Sequence, residues 1–140
     1  MIAKAIEKAF RVKKERGWSN TYWAFDIHET IIKPNWEAAH LPTDFYPGAK
    51  DALQMITKRV DIISLLYTCS YPKEIARYLN FFSTHDIYFN YVNENPEVAN
   101  TGFGCFDKKP YFNVLFEDKA GFDANEDWYQ VMELLAKYES

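Results

Sequence analysis

The stretch VDIISLLY, residues 60–67, decides the fold. It is a nearly continuous apolar run bounded by polar residues, as a strand reads when both its faces are covered. Before it, PGAKDALQMITKR (residues 47–59) reads as a helix with Ala52, Leu53 and Ile56 on one face. After it, Pro72 fits the first turn of another helix, where its missing N–H costs nothing. Ile75, Leu79 and Phe82 would give that helix its buried face. Then come a strand, DIYFNYV (86–92), a loop, NENPEVANTGFG (93–104), and an apolar strand, YFNVLF (111–116). A last helix is expected from Asp123 to about Tyr138, with Trp128, Val131, Met132 and Leu135 inward. Toward the N-terminus, residues 33–47 carry Pro34, Pro42 and Pro47 and read as a loop or small flap. TYWAFDI (21–27) reads as a strand, and Ile2, Ala5, Ile6, Ala9 and Phe10 recur at helical spacing in a helix ending at Gly17.

Strands alternating with helices predict an α/β fold: a three-layer, Rossmann-like parallel sheet with helices on both faces. The 140 residues make one domain, with a basic helix over 1–17 and a core over 20–138. In such sheets ligands bind outside the carboxyl ends of the strands.

Composition narrows the class. An aromatic share of 18% argues against disorder. The net charge of -4 makes no general case for nucleic acid. Residues 1–16 hold six basic side chains against two acidic ones, however, so this segment is +4 and the remainder -8. Its commoner meaning is a solvated helix face, though it offers nucleic-acid phosphate a contact. Cys69 and Cys105 form no C-x-x-C pair, so neither a disulfide framework nor a zinc site is expected. With no apolar run of ~18–20 residues and no signal-peptide core, the expectation is a cytoplasmic protein that does not enter the membrane.

The strand ends carry the chemistry. The first ends in Asp26, followed by His28, Glu29 and Thr30; the second ends in YTCS, with Thr68, Cys69 and Ser70. The last runs into FEDKAGFD, with Glu117, Asp118 and Asp123, and Lys108 and Lys109 precede it. A carboxylate nucleophile, a hydroxyl, a lysine and a second acidic cluster suit phosphoryl transfer, and paired carboxylates suit Mg²⁺. No G-x-G-x-x-G follows the first strand, which disfavours a dinucleotide site.

In this order the motifs resemble the haloacid dehalogenase (HAD) superfamily, in a small form with little or no cap. The resemblance spans about residues 20–138 and rests on DIHET, IISLLYT, KKPYF and NVLFED. It implies an Mg²⁺-dependent phosphatase with Asp26 as the nucleophile that forms an aspartyl-phosphate. Thr68 would bind the phosphoryl group, with Thr30, Cys69, Ser70 and Lys108 near the substrate and Lys109 as the motif lysine. Asp26, the backbone carbonyl of His28, Asp118, Glu117 and Asp123 would hold the metal. The substrate would be a phosphorylated small molecule or macromolecule.

Structural roles stand beside some of these. Ser70 can cap the helix at Pro72, and Asp123 with Glu126 fits a capping pattern. His28 departs from the family pattern, which has a second Asp there as acid and base. Imidazole is a competent acid/base near neutrality. Two readings follow: a phosphatase working through His28, or a HAD-like domain weakened in turnover that binds a phosphorylated ligand, a nucleic-acid end or a protein partner.

Overall fold

The structure, a computed structural model, describes residues 1–35 and 40–138. Its elements are α1 (Ile2–Arg16), β1 (Thr21–Phe25), α2 (Ala49–Thr57), β2 (Ile62–Leu66), α3 (Pro72–Thr84), β3 (Tyr91–Val92), β4 (Val114–Phe116) and α4 (Asp127–Lys137). A 3-10 turn, Asp118–Ala120, follows β4. Every strand pair is parallel, in the order β3-β2-β1-β4, so β1 is flanked on both sides. The expected α/β fold, a parallel sheet with helices packed around it, is formed.

Register explains the burial. Thr21, Trp23 and Phe25 of β1 align with Ile62, Ser64 and Leu66 of β2, and Trp23 and Phe25 also with Val114 and Phe116 of β4. All of these are buried on one face. Phe10 of α1 meets Trp23 edge-on at 5.9 Å, and Trp128 of α4 stacks on Phe116 at 5.5 Å. Phe25 reaches Phe82 of α3 through Phe89, at 5.9 and 5.4 Å. Burying each such ring is worth roughly 3 kcal/mol, so the aromatic stack is the main weight of the core. The helix α1 belongs to this core through Ile2, Ile6, Ala9 and Phe10. Gly17 at φ 67° ends it, as the sequence predicts.

Loop residues add to the helical cover of the sheet. The β3–β4 connection must cross back over the sheet, and with Pro96, Gly102, Gly104 and Pro110 it holds no helix. Its rings do the covering: Tyr111 meets Tyr22 at 6.0 Å and Phe112 meets Tyr67 at 5.9 Å. Tyr22 and Tyr91 both donate to the Glu97 carboxylate, at 3.3 and 2.7 Å.

Asparagines set where strands begin and stop. The predicted strand over 86–92 shrinks to Tyr91–Val92, because Asp86 turns at φ 60° and the Asn90 side chain takes over the ladder. Asn90 Oδ1 accepts from the Ser64 N–H at 2.8 Å. At β4, Asn113 Oδ1 accepts from the Tyr22 N–H at 2.8 Å. The buried face of α3 is also rotated. Tyr78 and Phe82 are fully buried, while Ile75 and Leu79 are half-buried. Among the described residues no helix is long and apolar enough to cross a membrane.

Candidate active site

The chain leaves the β1 ladder at Asp26, whose N–H donates to the Phe116 carbonyl at 3.0 Å. Asp26 Oδ1 accepts from the Ile27 N–H at 2.9 Å. The Ile27 carbonyl then gathers the N–H groups of Thr30, Ile31 and Ile32, with Glu29 left-handed at φ 62°. A small flap follows, closed by Lys33 N–H on the Asp44 carbonyl at 2.8 Å and Tyr46 N–H on that of Ile31 at 2.9 Å. Residues 36–39 of the predicted flap lie outside the described residues.

Burial raises the pKa of the half-buried Asp26 carboxyl above the ordinary carboxylate value. The Ile27 hydrogen bond opposes this, the nearby Glu117 charge adds to it, and His28 and Lys119 oppose it. Glu117 and His28 thus lie near Asp26. The cation felt there is Lys119, which the motif reading did not select. Lys109 lays its ammonium 5.7 Å from the Phe112 ring centroid, and Lys108 is exposed.

Thr30 is a correction. It was expected at the substrate, but it is wholly buried and its Oγ1 accepts the Asp118 N–H at 3.2 Å. Its carbonyl accepts the Trp128 indole N–H at 2.9 Å. A hydroxyl sealed in this way cannot meet a ligand; it ties the turn after β1 to the end of β4.

On the other flank, Thr68 is half-buried just beyond β2, and its N–H donates to Asn93 Oδ1 at 2.8 Å. Its Oγ1 lies 2.9 Å from Ser70 Oγ and accepts the Ser70 N–H at 3.2 Å. Ser70 is therefore not the helix cap, a second correction; Tyr71 holds that position without a side-chain bond. Cys69 between them is exposed.

Asp123 departs from the capping pattern expected with Glu126. Its Oδ1 accepts the Asn125 N–H at 3.0 Å, while Asp127 Oδ2 accepts the Asp123 N–H at 2.7 Å. The reciprocal partner is Asp127 rather than Glu126, and α4 starts only there. A cavity of about 260 Å³ is lined by Glu29, Tyr46, Asp118 and Asp123 among others. Burial, then the charges of Glu29 and Asp118, raises the pKa of Tyr46.

His28 is held from α3. Its Nε2 lies 2.6 Å from Tyr78 Oη, with the two rings edge to face at 5.4 Å. Burial pushes the Tyr78 phenol up to about 12, so it stays protonated at neutral pH and can donate to Nε2. The i, i+4 spacing of Tyr78 and Phe82 on a helix was the one sequence signal for this partner.

No family model matches the chain, and no curated protein matches it. Among solved structures it is similar to that of a conserved protein coded by a locus of Bacteroides thetaiotaomicron. The likeness covers 86% of this chain and 93% of that one, with a TM-score of 0.65 and 13% identity. At that identity it shows the fold alone.

Proposed function

We propose that this chain is a phosphohydrolase of the HAD type, with Asp26 as the nucleophile and Mg²⁺ as its cofactor. One observation carries the reading. Asp26, Thr68 and the Glu117–Asp118 pair follow three adjacent parallel strands at one edge of the sheet. That edge is where open parallel sheets take their ligands.

The donor set fits Mg²⁺. Asp26 and Asp118 are hard oxygen donors at neighbouring strand ends, and the His28 carbonyl is a third. The Glu117 charge that raises Asp26 is a like-charge contact that a cation relieves. Among the described residues no three His, Cys, Asp or Glu side chains gather into a metal-holding group. Two carboxylates with water suffice, since Mg²⁺ keeps several waters. When bound, the metal would neutralise charge on the phosphoryl oxygens.

The residues then divide the work. Asp26 Oδ1 is held by the Ile27 N–H, which leaves Oδ2 to attack phosphorus. As the P–O bond to the leaving group breaks, that oxygen takes a proton from the imidazolium form of His28, which is left neutral. Water then attacks the aspartyl-phosphate and gives its proton to His28, freeing phosphate and the Asp26 carboxylate. Thr68 donates to a phosphoryl oxygen. Lys119 is the cation near Asp26, and Lys109 and Lys108 remain the motif candidates.

Lys13 pairs with Asp61 at 3.9 Å, just before β2 begins, so the end of α1 that carries Lys13, Lys14 and Arg16 lies at the opposite edge of the sheet. A nucleic-acid end bound through these three residues would not reach Asp26 by this route.

The test is Mg²⁺-dependent release of p-nitrophenol from p-nitrophenyl phosphate. Asp26→Asn is expected to abolish it; wild-type activity in that variant overturns the assignment. The second reading, a domain that binds a phosphorylated ligand without turnover, draws on the His28–Tyr78 bond, which commits one ring nitrogen. It predicts phosphate binding with no release by wild type, and a gain of turnover in His28→Asp.

A further inference from the structure

We infer that the hollow between the flap and α3 binds an organic cation, the amine-bearing leaving group of the phosphate ester; its role as leaving group rests on the phosphohydrolase reading, and the cation site does not. The hollow holds about 480 Å³ and is lined by His28, Pro34, Leu41, Pro42, Glu74 and Tyr78, with Arg77 and His40 also contributing. That volume suits a small organic molecule. Pro34, Leu41 and Pro42 offer its body apolar walls.

Glu74 decides the chemistry. On α3, Glu74 and Tyr78 stand at i and i+4 and share a face. Glu74 Oε2 is shielded from solvent and has no hydrogen-bond partner among the described residues. An acceptor left so costs roughly 1–3 kcal/mol, more when charged, and folded proteins rarely tolerate it. Its neighbours do not serve it. The Tyr78 hydroxyl is engaged with His28, and Arg77 is exposed and makes no ion pair with Glu74 among the described residues. Position in the first turn of α3 gives the carboxylate a favourable dipole but no donor for Oε2.

A carboxylate only accepts, so the missing partner is a donor, and a charged ammonium makes the stronger bond. Of the carboxylate and guanidinium groups lining the hollow, Glu29 and Glu74 outnumber Arg77, which also favours a cation. His28 connects this hollow to the sheet edge. It lines the cavity and stands two residues beyond Asp26, just past the end of β1. One molecule can therefore put its phosphoryl group at Asp26 and its ammonium at Glu74.

The probes are tyramine against 4-ethylphenol, and their phosphate monoesters. In calorimetry or amide chemical-shift titration, wild type is expected to bind tyramine on the order of tenfold more tightly than 4-ethylphenol. Glu74→Gln is expected to bring that ratio to about one. Equal binding of the two phenols by wild type, or no binding of tyramine at millimolar concentration, overturns the cation site without depending on any variant. The same preference should appear in kcat/KM for the two esters. Ester hydrolysis without amine preference refutes the cation site and leaves the phosphohydrolase reading standing. Tyramine binding lost in Glu74→Gln, with no ester hydrolysed, does the reverse.

Discussion

Thr30→Val separates a holding role from a substrate role. Valine keeps the shape of the buried side chain but gives up the oxygen that accepts the Asp118 N–H at 3.2 Å. A net hydrogen bond is worth about 0.5–1.5 kcal/mol. Asp118 is exposed, so its freed N–H regains some water, and about 1 kcal/mol is expected. For a chain of this length that lowers Tm by about 3–5 °C. Thr30→Ser is the control. It keeps the oxygen and loses one methyl, which also costs about 1 kcal/mol. Stability alone would not distinguish the two, but Mg²⁺ would. If Thr30 positions Asp118 as a metal ligand, valine should raise the Mg²⁺ needed for half-maximal phosphate release by about tenfold or more, as loss of a supporting bond does. Serine should leave it near wild type. Thermal melts and a Mg²⁺ titration of phosphate release read both effects. Equal Mg²⁺ midpoints in valine and wild type would refute the positioning role, and equal shifts in valine and serine would assign the effect to packing.

Two further predictions concern stability. Asp61 is buried before β2; burial alone would raise its pKa, but two Arg59 hydrogen bonds, each 2.9 Å, and the Arg59 and Lys13 charges outweigh this and lower it. A depressed folded pKa means stability that is present above the unfolded value and lost as pH falls through the folded one. Asp61→Asn should therefore cost about 3 kcal/mol at pH 7 and less in acid; denaturant titrations showing the same gap near pH 3 would contradict this. Gly48 begins α2 at φ 78°, and an added Cβ would sit 3.3 Å from Met132, Trp128 and Tyr129 side-chain atoms. Gly48→Ala should cost about 2 kcal/mol in strain and crowding, and a loss under 0.5 kcal/mol by the same titration would argue against that geometry.

Much of this protein was legible along the chain. Apolar runs at 60–67 and 111–116 marked doubly covered strands, helical spacing marked α1, α2 and α4, and Gly17 marked the first stop. These are local signals, since a strand or helix face must be apolar wherever it is covered. The candidate residues were legible too, because they follow directly on strands. Asp26, Thr68 and Glu117–Asp118 needed only the rule for parallel sheets to be grouped.

What the tertiary structure alone decided is who meets whom. Thr30 reads like any hydroxyl in a motif until Asp118, 88 residues later, donates to it. His28 finds its partner 50 residues on, in Tyr78, and Lys119 rather than an earlier lysine brings its charge to Asp26. The rings of the 93–113 connection meet Tyr22 and Tyr67, contacts that the loop's sequence does not announce. Asparagine side chains at 90 and 113 pair with strand N–H groups that ladder geometry would leave to backbone. Sequence by itself determines which residues are apolar and how often they recur, and hence the elements. Hydrogen bonds and charges between distant residues form only once the elements pack, so the roles of Thr30, His28 and Glu74 exist only in the folded chain.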